Sequence, residues 1–402
     1  MANVSSSNGL EKRPKLRFPG FDEPYRKCRI GDIYAERSQR GAGDMELLSV
    51  TMNDGVMPRS EIEGKDNSSE DKSNYKVVCK GDMVYNSMRM WQGANGVSNY
   101  DGIVSPAYTV LMPTEEIDNQ YFAALFKTSN LINEFRKNSQ GLTSDTWNLK
   151  YPQIRPIRLY IPSLQEQNKI SSFIGTLEEK IGKQRQLVDA LKKYKRGVMQ
   201  KVFRNMSAFS PSGFETVRLS DIFKKASRRN SNGEIKNVIT NSAEHGLIPQ
   251  RDFFDKDIAV DGNTGNYYVI EYGDFVYNPR KSNTAPYGPF NRYERQEKGI
   301  ISPLYTCLVL KADIEPAYLA WYFKSDAWYR YIYDNGSQGV RHDRVSMTDD
   351  LLMGIPVIIP SKDSQIKIAK LLDCLEKRFQ VELSQCEYLK TVREALLQQL
   401  FI

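Results

Sequence analysis

The sequence predicts an α/β (α+β) protein made of two similar domains, each followed by a long helix. Residues 139–203 align with residues 337–401 at a constant offset of 198, without an insertion. Both copies end in a long segment whose apolar side chains recur at helical spacing. Upstream of these segments, both halves of the chain contain short strand-forming segments separated by Gly and Asn. Each copy is therefore expected to be a domain plus a helix, and two copies can form a pseudo-two-fold molecule.

The duplication continues upstream, although the offset between the copies changes there. The offset is 189 at residues 31–33, 192 at residues 81–86 and 197 at residues 102–106. A changing offset means that loops of different length join matching strands. Such variable loops on a constant scaffold are how one fold carries different specificities.

The first part of each copy is predicted to contain strands, turns and one helix. Residues 76–79, 83–85 and 107–111 are rich in strand-forming side chains and are separated by Gly and Asn. Residues 120–137 have apolar side chains at helical spacing, and residues 317–333 repeat this pattern in the second copy. Each copy is therefore expected to be a mixed α/β domain.

A long helix is predicted to follow each domain. Ser163 lies after a proline and has Glu166 three residues later, which is the capping-box pattern of a helix start. The second copy has Ser361 and Ser364 in these places, so its box is incomplete. The first helix is expected to run to about residue 203, a length of roughly 60 Å. A break near Gly175 or Leu177 is an open alternative.

The two long helices carry a coiled-coil pattern, because their apolar residues alternate at spacings of four and three. Polar residues interrupt this seam at the same two places in both copies, Gln184 and Lys195 in the first and Glu382 and Arg393 in the second. A two-fold relation would make the helices antiparallel and bring Gln184 near Glu382. The alternative is that each helix packs only on its own domain. The predicted seam consists of Ile174, Leu177, Ile181, Gln184, Val188, Leu191, Leu372, Leu375, Phe379, Glu382, Cys386 and Leu389.

The domain boundaries are predicted from these elements and from a linker rich in Ser, Pro and Gly. A similar Pro-Gly-Phe segment at residues 19–21 precedes the first domain. The predicted parts are a lead-in (1–24), a first domain (25–162), a central helix (163–204), a linker (205–214), a second domain (215–360) and a C-terminal helix (361–402).

The composition is that of a globular protein and leaves the function open. The chain has 40% hydrophobic and 26% charged residues, and no apolar run of about 18 residues predicts a membrane span. Its five cysteines form no CxxC pair and it has only two histidines, which favours reduced thiols in a cytoplasm over a zinc site. The polar N-terminus does not resemble a secretory signal. The net charge of +7 permits a polyanionic partner without establishing one.

Motifs for catalysis are missing from the sequence. There is no GxxxxGK[ST] phosphate-binding loop and no GxGxxG after a strand. Asn278-Pro279 lacks the second proline and the aromatic residue of an amino-methyltransferase motif. Two histidines support little acid–base or metal chemistry. The sequence therefore argues against an enzyme that acts alone.

Three polar loops occupy corresponding places in the two copies. Loop 1 spans residues 37–40 and 228–231, loop 2 spans 86–92 and 278–283, and loop 3 spans 139–144 and 337–344. Arg and Lys can read guanine, Asn and Gln can read adenine, and all can hold phosphates of duplex DNA. The alternative is that individual residues are solvated loop tips. The candidate DNA-binding residues are Arg37, Arg40, Asn86, Arg89, Trp91, Gln92, Gln140, Thr143, Ser144, Arg228, Arg229, Asn278, Arg280, Lys281, Asn283, Gln338, Arg341, His342 and Arg344.

With these features the chain resembles the specificity subunit of a type I restriction-modification system, over residues 19–402. The resemblance rests on Gly-Asp-Ile at 31–33, Gly-Asp-Met-Val at 81–84, Ile-Pro-Ser-Leu-Gln-Glu-Gln-x-x-Ile at 161–170 and the tail at 191–203, which recurs at 389–401. The second copy departs from this pattern. It has Asp-Ser-Gln at 363–365, and Glu-Ala at 394–395 replaces a basic residue and a glycine.

The resemblance implies two target-recognition domains that each read one half of a bipartite sequence in double-stranded DNA. It implies that the long helices hold the domains apart and dock two methyltransferase (M) subunits, with restriction/translocase (R) subunits completing the complex. This chain would then have no catalytic site and no cofactor, since S-adenosylmethionine, ATP and Mg would be bound by the partner subunits. Two readers on one face of a duplex must lie about one turn apart, ~34–36 Å, which a helix pair of ~40–60 Å can span.

Two other functions remain open from the sequence alone. One is a duplicated coiled-coil adaptor that binds only proteins. The other is a stand-alone nuclease or methyltransferase, against which the missing motifs count. Sequence-specific and salt-dependent DNA binding would separate the specificity subunit from the adaptor.

Overall fold

The computed structural model describes residues 2–3, 13–41, 44–52, 54–64, 66, 68–252, 264–338 and 343–402. The chain divides into two compact units, and each contains one half of the duplicated sequence. Unit 1 comprises Met1–Gln186 and Ser384–Ile402, and unit 2 comprises Leu187–Leu383. Each unit therefore contains part of both long helices.

Most strands of unit 1 recur in unit 2 in the same order. Those of unit 1 are β1 (Ala2–Asn3), β2 (Leu16–Arg17), β3 (Arg26–Arg29), β4 (Tyr34–Glu36), β5 (Leu48–Thr51), β6 (Gly55–Pro58), β7 (Lys76–Val78), β8 (Met83–Asn86), β9 (Asn95–Val97), β10 (Gly102–Val104), β11 (Tyr108–Pro113) and β12 (Arg158–Ile161). Those of unit 2 are β13 (Phe214–Arg218), β14 (Phe223–Lys225), β15 (Ile239–Ser242), β16 (Gly246–Pro249), β17 (Tyr268–Ile270), β18 (Phe275–Tyr277), β19 (Phe290–Arg292), β20 (Gly299–Ile301), β21 (Thr306–Leu310), β22 (Ser337–Gln338), β23 (Val345–Ser346) and β24 (Pro356–Pro360).

The sheets of the two units have matching topology. The central sheet of unit 1 has the order β4-β11-β8-β9, and that of unit 2 has the order β14-β21-β18-β19. All their neighbouring strands are antiparallel. The smaller pairs correspond as well, since β3·β12, β5·β6 and β7·β10 match β13·β24, β15·β16 and β17·β20. The mixed α/β domain predicted for each copy is confirmed.

The helices include the two long ones that the sequence predicts. They are α1 (Ile30–Ile33), α2 (Asn119–Leu125), α3 (Ser129–Asn138), α4 (Tyr151–Ile154), α5 (Leu164–Arg204), α6 (Met206–Phe209), α7 (Leu219–Ile222), α8 (Pro316–Lys324), α9 (Tyr329–Asn335), α10 (Asp349–Met353) and α11 (Lys362–Leu400). Helix α5 is continuous through Gly175 and Leu177, so the alternative of a break there is wrong.

The prediction of single helices over 120–137 and 317–333 is wrong, because each of these segments forms two helices. The backbone is extended at Thr128, where the hydroxyl donates to the Leu125 carbonyl at 2.8 Å. Ser325 repeats this break in unit 2, and its hydroxyl donates to the Tyr322 carbonyl at 2.6 Å. A side chain that binds a carbonyl three residues back replaces the next helical hydrogen bond and ends the helix.

Helices α5 and α11 run antiparallel where they meet in unit 1. Ile170 and Ile174 near the start of α5 belong to the same core cluster as Leu397 and Leu400 at the end of α11. In the same unit, Glu178 of α5 accepts a hydrogen bond from Arg393 of α11. The predicted antiparallel packing of the long helices is confirmed.

Unit 2 repeats this helix packing at the equivalent positions. Lys195 of α5 forms an ion pair with Glu376 of α11, and these residues lie 198 positions from Arg393 and Glu178. The Lys195 ammonium also lies 4.5 Å from the centroid of the Phe379 ring. The polar interruptions of the seam at Lys195 and Arg393 therefore serve as ion-pair partners between the helices. All the residues of the predicted seam are buried or half-buried. The proximity of Gln184 to Glu382 stays a prediction.

Aromatic residues at the C-terminal ends of the two long helices anchor these ends in the domain cores. Phe401 packs on Tyr121 of α2 with ring centroids 5.1 Å apart, and Phe203 packs on Tyr318 of α8 at 5.8 Å. All four rings are buried. Domain and helix therefore share one core in each unit.

Glu166 does not complete the predicted capping box, because its carboxylate is held by other residues. Its two oxygens accept hydrogen bonds from Arg17, at 2.9 and 2.8 Å, and Tyr25 lies 3.4 Å from one of them. Arg17 and Glu166 are both buried. In unit 2, where Ser364 replaces the glutamate, the hydroxyl of Ser361 contacts it at 3.0 Å instead. Among the helices within the described ranges, none is both long and apolar enough to cross a membrane.

Candidate nucleic-acid interface

Loops 2 and 3 of unit 1 form one continuous surface. The backbone N–H of Leu149, just after loop 3, donates to the carbonyl of Ser87 in loop 2 at 2.8 Å. Trp91 of loop 2 packs edge-on against Trp147, with ring centroids 5.2 Å apart. The two segments that the sequence places 50 residues apart are therefore held side by side by backbone and aromatic contacts.

The tip of loop 3 in unit 1 is built to project into solvent. Gln140 and Asn148 exchange two backbone hydrogen bonds, of 2.9 and 2.8 Å, and close the base of the loop. Gly141 has a φ of +141°, and a Cβ there would lie 2.6 Å from the Thr146 carbonyl oxygen, so the turn requires glycine. Thr143 and Ser144 are exposed beyond this base, and their contact with DNA stays a prediction.

Loops 2 and 3 of unit 2 meet in the same way. The N–H of Lys281 donates to the Asp343 carbonyl at 2.8 Å, and the N–H of Val345 donates to the Pro279 carbonyl at 2.9 Å. Strand β23 then pairs with β22, which contains the backbone of Gln338. Arg341 and His342 lie outside the described residues. The convergence of the two loops is thus a shared property of both units.

Asn278 supports loop 2 of unit 2 from inside the domain. It is buried, its amide nitrogen donates to the Asn241 carbonyl at 3.1 Å, and its amide oxygen accepts from the N–H of Arg280 at 2.9 Å. Asn291 donates to the amide oxygen of Asn241 at 2.7 Å and extends the network. Because these polar groups satisfy one another, Asn278 positions Arg280 rather than reaching outward.

Loop 1 is tied to the central sheet through its arginines. Arg37 forms two hydrogen bonds, of 2.7 and 3.0 Å, with buried Asp82, and this pairing raises the pKa of the guanidinium. Arg228 contacts Glu271 at 2.7 Å and Asp274 at 3.2 Å in unit 2. Asp274 is buried, and this burial raises the pKa of its carboxyl despite the neighbouring arginine. The described contacts of loop 1 thus place two of its arginines in structural ion pairs.

The candidate residues differ in how far they can reach a ligand. Asn86, Trp91, Lys281 and Arg344 are half-buried, as is Arg37. The exposed candidates are Arg40, Arg89, Gln92, Gln140, Thr143, Ser144, Arg228, Arg229, Arg280 and Asn283. Two arginines of loop 1 donate to residues outside the loop, Arg40 to the carbonyl of Asn74 and Arg229 to the amide oxygen of Asn266.

Sequence reasoning missed three residues beside this surface. Trp147 links loops 2 and 3, and Arg136 and Lys137 are exposed on the last turn of α3, directly before loop 3. Two of the four tryptophans in the chain lie in or near polar loops, Trp91 in loop 2 and Trp147 just after loop 3, but the sequence does not indicate that their rings meet.

Comparisons with known proteins agree on one family. The model of the type I restriction modification DNA specificity domain matches residues 27–193. The chain is 22% identical over 169 residues to a type I restriction enzyme MjaX specificity subunit of Methanocaldococcus jannaschii, described as putative in its name. It is 27% identical over 152 residues to the HindI specificity subunit of Haemophilus influenzae. These alignments cover 39% and 36% of this chain, and 38% and 32% of the relatives, so the chain matches about a third of their length.

Solved structures extend the similarity of fold to nearly the whole chain. A type I restriction-modification S subunit from M. genitalium has a TM-score of 0.56 at 14% identity, covering 97% of this chain and 99% of that one. A chain from a study of assembly of the type I restriction-modification system has a TM-score of 0.59 at 16% identity, covering 96% and 99%. The HsdS subunit from Thermoanaerobacter tengcongensis has a TM-score of 0.50 at 16% identity, covering 98% of each chain. The alternative of a protein-only adaptor is not favoured.

Proposed function

We infer that this chain, a member of the type I restriction-modification specificity subunits, is the non-catalytic subunit that selects the DNA sequence for its complex. The observation that carries this function is the duplication of one surface. In each unit, backbone hydrogen bonds join loops 2 and 3 next to a four-stranded sheet, and the two sheets have the same strand order. Two similar but divergent readers suit a DNA target with two different half-sites. We propose that the chain acts in the cytoplasm.

The exposed side chains of the joined loops are proposed to contact DNA directly. In unit 1 these are Arg89, Gln92, Thr143 and Ser144, which project from the surface closed by Trp91 and Trp147. In unit 2 they are Arg280 and Asn283, and the half-buried Lys281 lies between them. Guanidinium and amide groups of these types read base edges in the major groove and also bind phosphates. Arg37, Arg228 and Asn278 are proposed to support the loops instead.

Arg280→Ala is expected to change only the half-site that unit 2 reads. The guanidinium is exposed and lies 3.8 Å from Asp343, a distance at which it remains available to a base or phosphate. A bidentate contact to a base is worth about 1–3 kcal/mol of discrimination, so methylation should spread to sites that differ at one position of that half-site. The measurement is the methylated motif in cells that carry the variant.

Arg251→Ala provides the matched control, since Arg251 is an exposed arginine of unit 2 in a turn outside the three loops. It should leave both half-sites unchanged. If Arg280→Ala instead lowered affinity equally for every duplex, Arg280 would be a phosphate contact and not a base contact.

The long helices are proposed to dock the methyltransferase subunits. Large apolar side chains are exposed along them at heptad spacing, with Leu187 and Tyr194 at 39% and 60% on α5, and Val381 and Tyr388 at 62% and 65% on α11. Exposed apolar residues at this spacing are typical of a helix that accepts further helices. S-adenosylmethionine would then be bound by those subunits, and ATP and Mg by the restriction subunits.

Leu187→Glu combined with Tyr194→Glu should abolish association with the purified methyltransferase subunit. Two charges on the contact face must be desolvated without partners, which costs several kcal/mol. The measurement is size-exclusion chromatography with light scattering, with Lys192→Ala as a control on another face of α5. Normal association of the double variant would refute docking on this face.

A further inference from the structure

We propose that the last turn of α3 is a phosphate anchor for the DNA beside the half-site of unit 1, and that unit 2 lacks this anchor. The anchor consists of Asn133, Arg136, Lys137 and Trp147. These residues line a surface cavity with a volume of about 450 Å³. The proposal rests on the proposed function, because it assigns a further contact to the same DNA.

The helix geometry places the three polar side chains of the anchor together. Asn133, Arg136 and Lys137 are separated by three and four positions, so they lie on one face of α3. All three are exposed. Lys137 contacts Glu134 at 2.8 Å, but both side chains of this ion pair are solvent-exposed and such pairs contribute little. A phosphate group can therefore displace Glu134 at small cost.

The guanidinium of Arg136 is oriented by an aromatic ring instead of an acid. Its central carbon lies 5.2 Å from the centroid of the Trp147 ring. Within the described part of the chain this guanidinium has no acceptor for a hydrogen bond, so its N–H groups remain available. A planar guanidinium held on an aromatic face is pre-organised for bidentate binding of a phosphate.

The anchor is connected to the proposed reading surface. Trp147 packs against Trp91 of loop 2, and α3 leads directly into loop 3. A phosphate bound at Arg136 would therefore belong to the same duplex that loops 2 and 3 contact. Phosphate contacts of this kind fix the register of the protein on DNA while carrying no sequence information.

Unit 2 has the opposite charge at the equivalent position. Asp334, at the end of α9, lies 197 positions after Lys137, the offset at which buried Phe135 of α3 matches buried Ile332 of α9. It forms an ion pair with Arg330 at 2.7 Å. A carboxylate there repels phosphate, and Arg330 is already engaged by it. The backbone contact is therefore expected on the side of unit 1 alone.

The test measures how the affinity for DNA depends on salt. The chain, in complex with its methyltransferase subunit, is titrated with a fluorescent duplex that carries the motif found by methylation mapping, and with a scrambled duplex. Potassium chloride is varied from 50 to 200 mM. Wild type is compared with Arg136→Ala/Lys137→Ala and with Arg330→Ala as the matched control from unit 2.

The double variant should lose about 1.8 units from the slope of log affinity against log salt, because each phosphate contact contributes about 0.9. Over this fourfold range of salt, wild-type affinity should therefore fall about tenfold more than that of the double variant. At 50 mM salt both duplexes should be weakened by the same factor, whereas Arg330→Ala should match wild type. Both replaced side chains are exposed, so the midpoint of thermal unfolding should not move.

Trp147→Ala gives a second readout with both basic residues retained. It should weaken binding to both duplexes with less change in slope, because the charges remain but lose their orientation. An unchanged slope for Arg136→Ala/Lys137→Ala, in a protein that still prefers its motif, would overturn the anchor alone. A wild-type complex without preference for the motif would overturn the proposed function and the anchor together.

Discussion

Inserting seven residues into both long helices, after Gln186 and after Leu383, should lengthen the undefined spacer of the methylated motif by about three base pairs or abolish methylation. Seven helical residues add about 10.5 Å, and one base pair of DNA rises about 3.4 Å. The two insertion points are the places where α5 and α11 pass from one compact unit into the other. The insertions therefore leave the contacts within each unit intact.

The reason for inserting a whole heptad lies in the seam. A heptad keeps the apolar face of each helix toward its partner, whereas an insertion of about five residues would rotate that face away. The ion pairs Glu178–Arg393 in unit 1 and Lys195–Glu376 in unit 2 lie outside the inserted segments and should persist. Long-read sequencing of methylated bases in cells gives the motif directly.

Two controls make the heptad result decisive. An insertion in α5 alone leaves the helices unequal and should abolish methylation. Replacing the residues at the insertion points without changing the length should leave the motif unchanged. A motif with its original spacer after both insertions would contradict the proposal that the helix pair sets the distance between half-sites.

Arg17→Met should destabilise unit 1 by about 3–5 kcal/mol, because it leaves the carboxylate of Glu166 buried without its partner. The two side chains are 5% and 1% exposed, respectively, and their contact joins the N-terminal segment to the first turn of α5. The Arg17 guanidinium also lies 5.1 Å from the centroid of the Tyr25 ring. Chemical denaturation should show an earlier unfolding transition.

The double variant Arg17→Met/Glu166→Leu is the informative comparison. Replacing both charges with apolar groups removes the unpaired carboxylate, so most of the lost stability should return. Lys183→Ala is the surface control, since its ion pair with Glu179 is exposed and should contribute little to stability. A loss below about 1 kcal/mol for Arg17→Met would show that water or another group compensates Glu166.

The sequence was sufficient to predict the parts of the fold that depend on periodicity. The seam from Ile174 to Leu191 and its copy repeat every seven residues, and such a pattern specifies a helix pair without knowledge of its surroundings. The strand order was not predictable in this way. It depends on pairing between segments such as β4 and β11, which lie far apart in the chain.

The capping-box prediction failed because the side chain involved has a partner distant in sequence. Glu166 has the spacing of a capping residue, but Arg17, 149 positions earlier, takes its carboxylate. Arg37 belongs to a polar loop, and Asp82, which lies directly before β8 of the central sheet, engages its guanidinium. Spacing identifies the residue types that suit a role, whereas burial and distant partners decide which role each residue takes.

In the candidate site, too, some features could be predicted from the sequence and others depend on the fold. The correspondence of loops 2 and 3 between the copies was readable, and the structure joins them in both units. The contribution of Trp147 was not readable, because nothing in the local sequence indicates that its ring lies between Trp91 and Arg136. Its role follows only from the fold.

A long-read methylation map of host DNA, with this chain present and with it deleted, tests the central claim most directly. We expect a two-part motif with an undefined spacer that is methylated only when the chain is present. Exchanging residues 25–160 for those of another specificity subunit should then change one half-site and leave the other. Identical methylation with and without the chain, in cells with an active methyltransferase subunit, would contradict the account.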